Sequence, residues 1–164
     1  MPELTFYTTY NALYLHRKGK FMLGKKILST KSSPEISLDP KGIIKITGRS
    51  INENVTGFSE QIDEWIDEYI CNPAELTTVD IYLEYFNSVN FNIYFNLLKK
   101  IGSIRMNNKK YSINWHYEEG DEDILEKGED ISSALNIPFN FIMISDPLLP
   151  ESDSLKWKTS TLGN

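Results

Sequence analysis

The clearest pattern in the chain is a change of hydrophobic period within residues 77–101, TTVDIYLEYFNSVNFNIYFNLLKKI. Val79, Ile81, Leu83 and Tyr85 alternate with Asp80, Tyr82 and Glu84, the two-residue period of a pleated strand. From Val89 the apolar residues recur at helical spacing: Phe91, Tyr94, Phe95, Leu98 and Ile101, with Ile93 and Leu97 beside them. Asn87-Ser88 stands where the period changes. The side-chain oxygens of Asn and Ser accept from the unpaired first N–H groups of a helix. The pattern predicts a buried strand running directly into a buried helix over 88–104. A hydroxyl then sits at the junction, at the positive end of the helix dipole, where negative charge is favoured.

The flanking segments follow the same logic. Residues 33–38 and 43–48 read as the two strands of a hairpin, joined by the turn residues Asp39-Pro40-Lys41-Gly42. Residues 56–70 read as an amphipathic helix with Phe58, Ile62, Trp65, Ile66, Tyr69 and Ile70 on one stripe. Its outer face carries Glu60, Asp63, Glu64, Asp67 and Glu68, which reads either as a solvated surface or as a docking surface for a basic partner. Asn72-Pro73 ends it. Met106 to Lys110 form a polar turn. Tyr111, Ile113, Trp115 and Tyr117 alternate with Ser112, Asn114 and His116 as a further strand. A short helix is expected through 121–135, with Gly128 weakening its middle, and a last strand at 139–144.

Two strands, a helix, then strand, helix, strand, short helix and strand predict an α/β domain. Its mixed sheet has about four to five strands, with parallel crossovers and helices packed on it. The domain is expected over 27–146. Residues 1–26 stand apart as an N-terminal extension, aromatic and then basic through Arg17, Lys18, Lys20, Lys25 and Lys26. This stretch reads as a pairing strand, an arm for an acidic partner or a loosely held terminus. Residues 147–164 form a tail without a period, although Leu155 and Trp157 are able to pack.

Composition narrows the function. With 164 residues, the chain is long enough for one domain with a real core. The formal net charge of -6 argues against a nucleic-acid partner, which needs basic surface. One cysteine, Cys71, permits no internal disulfide, and its place at a helix end reads as structural filler. The absence of a membrane-length apolar run and of a signal-peptide pattern leads to the expectation of a cytoplasmic protein with no membrane partner.

Little in the chain suggests catalysis. The glycines fit no phosphate-binding loop, and there is no nucleophile elbow. The richest cluster is Asn114-Trp115-His116-Tyr117-Glu118-Glu119-Gly120-Asp121-Glu122-Asp123. It admits three readings: a small metal-dependent enzyme using His116 and the carboxylates of 118–123, an acidic loop that opens a helix, or a recognition surface. A second histidine ligand would have to be His16. Ser88, taken alone, reads first as a helix cap.

Three ordered stretches resemble the SiaC family of regulatory phosphoproteins. They are Ser33-Pro34-Glu35-Ile36 with Ile46-Thr47-Gly48-Arg49-Ser50 and Glu53-Asn54; Leu83-Glu84-Tyr85-Phe86-Asn87-Ser88; and Ile113 to Asp123, with Glu126, Gly128 and Glu129 beyond it. Pro138-Phe139 also fits. The resemblance spans about residues 27–145. It implies a fold similar to the STAS-like anti-sigma-factor antagonists and a role in partner switching, without enzymatic activity, metal or cofactor. It further implies that the unphosphorylated form binds and activates a diguanylate cyclase, raising cyclic-di-GMP and promoting biofilm growth. A serine/threonine kinase and a PP2C-type phosphatase would act on Ser88. The expected partner-binding residues are Asn87, Ser88, Trp115, His116, Tyr117, Glu118 and Glu119. The family's run of hydroxyls after the Asn is here Ser88-Val89-Asn90, so Ser88 is the one hydroxyl it retains.

Overall fold

The structure, a computed structural model, describes residues 22–51 and 56–145. Its strands are β1 (Lys25–Ile27), β2 (Glu35–Asp39), β3 (Ile43–Ser50), β4 (Leu76–Phe86), β5 (Lys110–Glu118) and β6 (Asn140–Ile144). Its helices are α1 (Thr56–Tyr69), α2 (Ser88–Ser103) and α3 (Glu122–Leu135), with a 3-10 turn at Ile104–Asn107. The fold is the expected mixed α/β type with one more strand than anticipated, giving six among the described residues, in the order β1-β2-β3-β4-β5-β6. The added strand, β1, begins inside the stretch assigned to the extension. Met22 already packs against the core, and the carbonyl of Leu23 accepts from the indole N–H of Trp65 on α1 at 2.9 Å.

β1, β2 and β3 are antiparallel neighbours, whereas β3, β4, β5 and β6 run parallel. The β2–β3 hairpin turns where expected. The Gly42 N–H donates to the carbonyl of Asp39 at 2.9 Å, and Gly42 has a φ of 93°. A side chain there would meet the carbonyl oxygen of Leu76, so both the backbone and the approach of β4 require glycine.

Each parallel step is made by a helix, and right-handed crossovers in one direction keep the helices on one face. The burial pattern shows that face. Ile36, Leu38, Ile44, Ile46, Val79, Ile81, Leu83, Ile113 and Trp115 point to it and join the inward residues of all three helices in a single core. On α2 the buried stripe is centred on Ile93, Tyr94, Leu97, Leu98 and Ile101. Phe91 and Phe95 stand at its margin, half-buried and stacked with ring centres 6.1 Å apart. The opposite face carries Lys45, Asp80, Tyr82, Asn114, His116 and their neighbours, and among the described residues none of its side chains is fully buried.

The acidic outer face of α1 is partly an internal contact. The Lys100 ammonium of α2 lies 2.8 Å from both Asp63 and Asp67. Cys71, expected as filler, is exposed just past α1, its thiol donating to the carbonyl of Asp67 at 3.2 Å. No helix among the described residues is long and apolar enough to cross a membrane. The N-terminal aromatic and basic stretch through Phe21, His16, Glu53, Asn54 and the tail from Asp146 lie outside the described residues.

Candidate functional site at the carboxyl edge of the sheet

The junction between β4 and α2 is built by asparagines. Asn87 is the N-cap, its side-chain oxygen accepting from the backbone N–H of Asn90 at 3.1 Å. The Asn87 N–H donates to the carbonyl of Ser50 at the end of β3 at 3.2 Å, and the Asn90 side-chain amide donates to the same carbonyl at 3.1 Å. Asn90 is completely buried. The first turn of α2 is thereby fastened to the neighbouring strand. Because Asn87 does the capping, Ser88 is the first helical residue rather than the cap, and its side chain is exposed.

The strand leading to this junction is not the uninterrupted alternation its sequence suggests. Gly48 pairs with Leu83 but Arg49 pairs with Tyr85, so Glu84 is an extra residue and β4 bulges. The bulge shifts the parity by one. Tyr85, expected to face inward with Leu83, is 46% exposed, and Phe86 takes the buried place instead. Phe86 packs edge-on against Tyr94 and Trp115, at 5.4 and 6.1 Å between ring centres. Val89, in the first turn of α2, is 51% exposed. Tyr85 and Val89 therefore supply apolar surface on either side of Ser88 in sequence. The Lys127 ammonium of α3 lies 5.6 Å from the centre of the Tyr85 ring and 5.0 Å from that of Phe86, and it pairs with Asp123.

The other expected site residues come from the adjacent strand. β4 and β5 are parallel, with Ile81 beside Trp115 and Tyr82 beside His116, so both motifs end at the carboxyl edge of the sheet. Open α/β sheets bind their ligands at this edge, where helix N-termini converge. The residues divide by strand parity. Trp115 is 0% exposed, its indole N–H donating to the carbonyl of Ile124 at 3.0 Å. This corrects its place among the contact residues: Trp115 is the floor on which α3 rests. Gly128 is the reason α3 can rest there, since a methyl group at that position would stand 2.6 Å from the indole ring. Tyr117 is half-buried against the same core.

His116 and Glu118 point to the open face. The Asp80 carboxylate accepts from the Asn114 amide at 2.8 Å and lies 3.5 Å from His116 Nε2. Burial pushes the Asp80 carboxyl up, but His116, Asn114 and Lys45 outweigh it and hold the group below the usual carboxylate range. The Tyr82 hydroxyl donates to Glu118 at 2.6 Å; burial, and then the Glu118 carboxylate, raise the phenol well above its ordinary value. Glu119 is exposed in the turn after β5, and its N–H donates to the carbonyl of Ile144 at 3.0 Å. Asp121 caps α3, accepting from the N–H of Ile124 at 3.1 Å. The carboxylates of 118–123 are thus split between the open face, a turn and a helix start. No group of three His, Cys, Asp or Glu side chains converges on a metal-sized site among the described residues.

Sequence reasoning did not single out Asn90, Val89, Tyr82 or Lys127. Two of them left a readable signal. Lys127 is the single basic residue among eight acidic ones in 118–130, and Val89 falls off the helical stripe of α2.

The fold and site define a class: a one-sheet α/β domain with an exposed serine where a central strand becomes a helix, beside an acidic strand end. The SiaC family regulatory phosphoprotein profile matches residues 27–144, and the chain belongs to that family. An uncharacterized protein of Pseudomonas aeruginosa (strain UCBPP-PA14) is 24% identical over 114 residues, 69% of this chain and 90% of its own. The structure of the diguanylate cyclase SiaD in complex with its activator SiaC, from Pseudomonas aeruginosa, contains a chain similar at a TM-score of 0.67 and 22% identity. That match covers 73% of this chain and 99% of the other. Apo-SiaC from the same organism matches at 0.65 and 22% identity, over 76% of this chain and all of its own.

Proposed function

We propose that this chain is a phospho-regulated interaction module that, unmodified, binds and activates a diguanylate cyclase, and that phosphorylation of Ser88 switches it off. The observation that carries the reading is the exposure of Ser88 in the first turn of α2, with the capping left to Asn87. A hydroxyl so placed is reachable by a kinase and by a PP2C-type phosphatase. Membership of a regulatory phosphoprotein family supports the same reading, as does the similarity to a SiaC that is the activator of SiaD. The module itself performs no catalysis in this scheme.

The switch follows from charge and solvation. A phosphate adds about -1.5 to -2 charges and three acceptor oxygens. At the positive end of α2 it is tolerated by the fold. A partner seated over Tyr85, Ser88 and Val89 would instead have to accommodate or desolvate it, beside the carboxylates of Glu84, Glu118 and Glu119. Losing about 3 kcal/mol there weakens binding by roughly a hundredfold. In this scheme His116, Tyr117, Glu118 and Glu119 border the contact surface, and Asn87 holds its shape.

The test combines mapping and reconstitution. Mass spectrometry of the protein isolated from its own cells is expected to find the phosphate on Ser88. With a purified diguanylate cyclase of the same organism, unmodified protein and Ser88→Ala are expected to raise cyclic-di-GMP synthesis, and Ser88→Asp to do so far less. Modification mapped elsewhere and persisting in Ser88→Ala, or equal activation by Ser88→Asp and Ser88→Ala, would count against the reading.

A further inference from the structure

A single cation is held close to the junction that carries Ser88. Lys127 interrupts an acidic run on α3, yet its side chain does not extend into water: it is 23% exposed. Its ammonium rests against the rings of Phe86 and Tyr85, 5.0 and 5.6 Å from their centres. The Phe86 ring in turn meets Tyr94 of α2 and Trp115, the floor of α3. The ammonium therefore sits in the seam between α2 and α3, beside the strand end from which α2 starts. Only the cap, Asn87, separates Phe86 from Ser88.

The surroundings of this cation leave room for a better partner. An ammonium binds water strongly, and two aromatic faces replace that water only in part. Its carboxylate, Asp123, lies one turn back on the same helix and is 62% exposed. A pair of this kind is weak, and Asp123 returns to water at little cost. A phosphate monoester, with about -1.5 to -2 charges and three acceptor oxygens, binds an ammonium more strongly than one carboxylate does. Arg49 also borders the junction but is placed differently. It alternates with the inward Ser50 and so falls on the open face, where its guanidinium lies 3.8 Å from Glu84. α2 packs on the other face, with Lys127.

We propose that Lys127 is the internal counter-charge for a phosphate on Ser88, exchanging Asp123 for the phosphate when Ser88 is modified. The proposal rests on Ser88 being the phosphoacceptor. The four-carbon stem lets the ammonium move while its root stays fixed on α3. The ion pair draws the phosphate across the exposed ring of Tyr85 and ties α2 to α3. The modified state is then a formed surface rather than a swinging charge. A partner that docks over Tyr85 and Val89 has to break this ion pair as well as accommodate the phosphate.

The experiment uses the full-length chain with phosphoserine installed at position 88 during translation, so that it needs no kinase. Phosphorus NMR follows the second ionisation of the phosphate in this protein and in its Lys127→Gln, Lys127→Arg, Arg49→Gln and Lys99→Gln variants. The N-terminus of α2 lowers that ionisation in all of them, so the differences report the side chains. It is expected to lie below the value of about 6 for a phosphate on a free side chain. Lys127→Gln is expected to raise it by about half a pH unit or more. Lys127→Arg is expected to keep it low, and Arg49→Gln and Lys99→Gln, which remove the same charge elsewhere, to move it less. No rise in Lys127→Gln, or a rise matched by Arg49→Gln or Lys99→Gln, overturns the proposal. The two readings fail separately. An unmoved ionisation removes Lys127 and leaves Ser88 as the phosphoacceptor, whereas phosphate mapped elsewhere in cells removes the switch whatever Lys127 does.

Discussion

At the scale of single residues, the site depends on a division of labour between neighbours of different chemistry. Asn87 caps, Asn90 fastens the first turn of α2 to the carbonyl of Ser50, and Ser88 between them is left exposed. Asn90→Ala removes a hydrogen bond made in the interior and is expected to cost about 1–2 kcal/mol, read by denaturant unfolding. Gly128→Ala tests a different balance. Intrinsic helix propensity favours alanine by about 1 kcal/mol. The added methyl, however, would press on the enclosed ring of Trp115, and overpacking of that kind costs about 1–3 kcal/mol. The expected outcome is a net loss of stability, and a more stable variant would show that α3 can lift off its floor. Glycine in the middle of α3 looked like a weakness in the sequence because the sequence does not show that Trp115 passes beneath it.

At the scale of elements, what matters is how β4 and β5 meet. Their register sets Asp80 among Asn114, His116 and, from β3, Lys45. The Asp80 carboxyl is held below its ordinary value, so the folded state binds this proton more weakly than the unfolded chain. Its contribution to stability is complete above the unfolded value of about 3.9, and it is lost as the pH falls through the lower folded value. Asp80→Asn is therefore expected to flatten the acid limb of the stability curve below about pH 4. The measurement is thermal unfolding across that range, and an unchanged acid limb would remove Asp80 from the account. The ends of these elements were legible for a plain reason. Turn residues such as Asp39-Pro40-Lys41-Gly42 and the cap at Asn87 act on their own neighbours in the chain. The bulge at Glu84 was not legible, because it exists only in the pairing of β4 with β3.

At the scale of the molecule, the sheet has one dry face and one polar face, and the proposed switch lies on its carboxyl edge between them. The fold there is carried by backbone and core contacts rather than by the surface carboxylates. Glu119→Lys is accordingly expected to change the melting temperature by little, since surface substitutions usually stay within about 0.5 kcal/mol. If the cyclase docks at this edge, the same change should alter partner affinity and its dependence on salt. Equal affinity for Glu119→Lys and the unmodified protein, at low and at high salt, would move the docking surface elsewhere.

The amino-acid sequence by itself determined the identity and order of the strands and helices from β2 to β6, the hairpin, and the strand-to-helix junction that carries Ser88; β1 it left inside the extension. All of these are written in hydrophobic period and turn chemistry over a few adjacent residues. Tertiary structure decided which members of the 113–123 motif face outward. It enclosed Trp115, turned Tyr85 out, and joined Tyr82 to Glu118 across 36 positions of chain. Strand parity is local, but which face of a strand becomes the inside depends on the helices packed upon it and on the register with its neighbours, and those are properties of the assembled sheet.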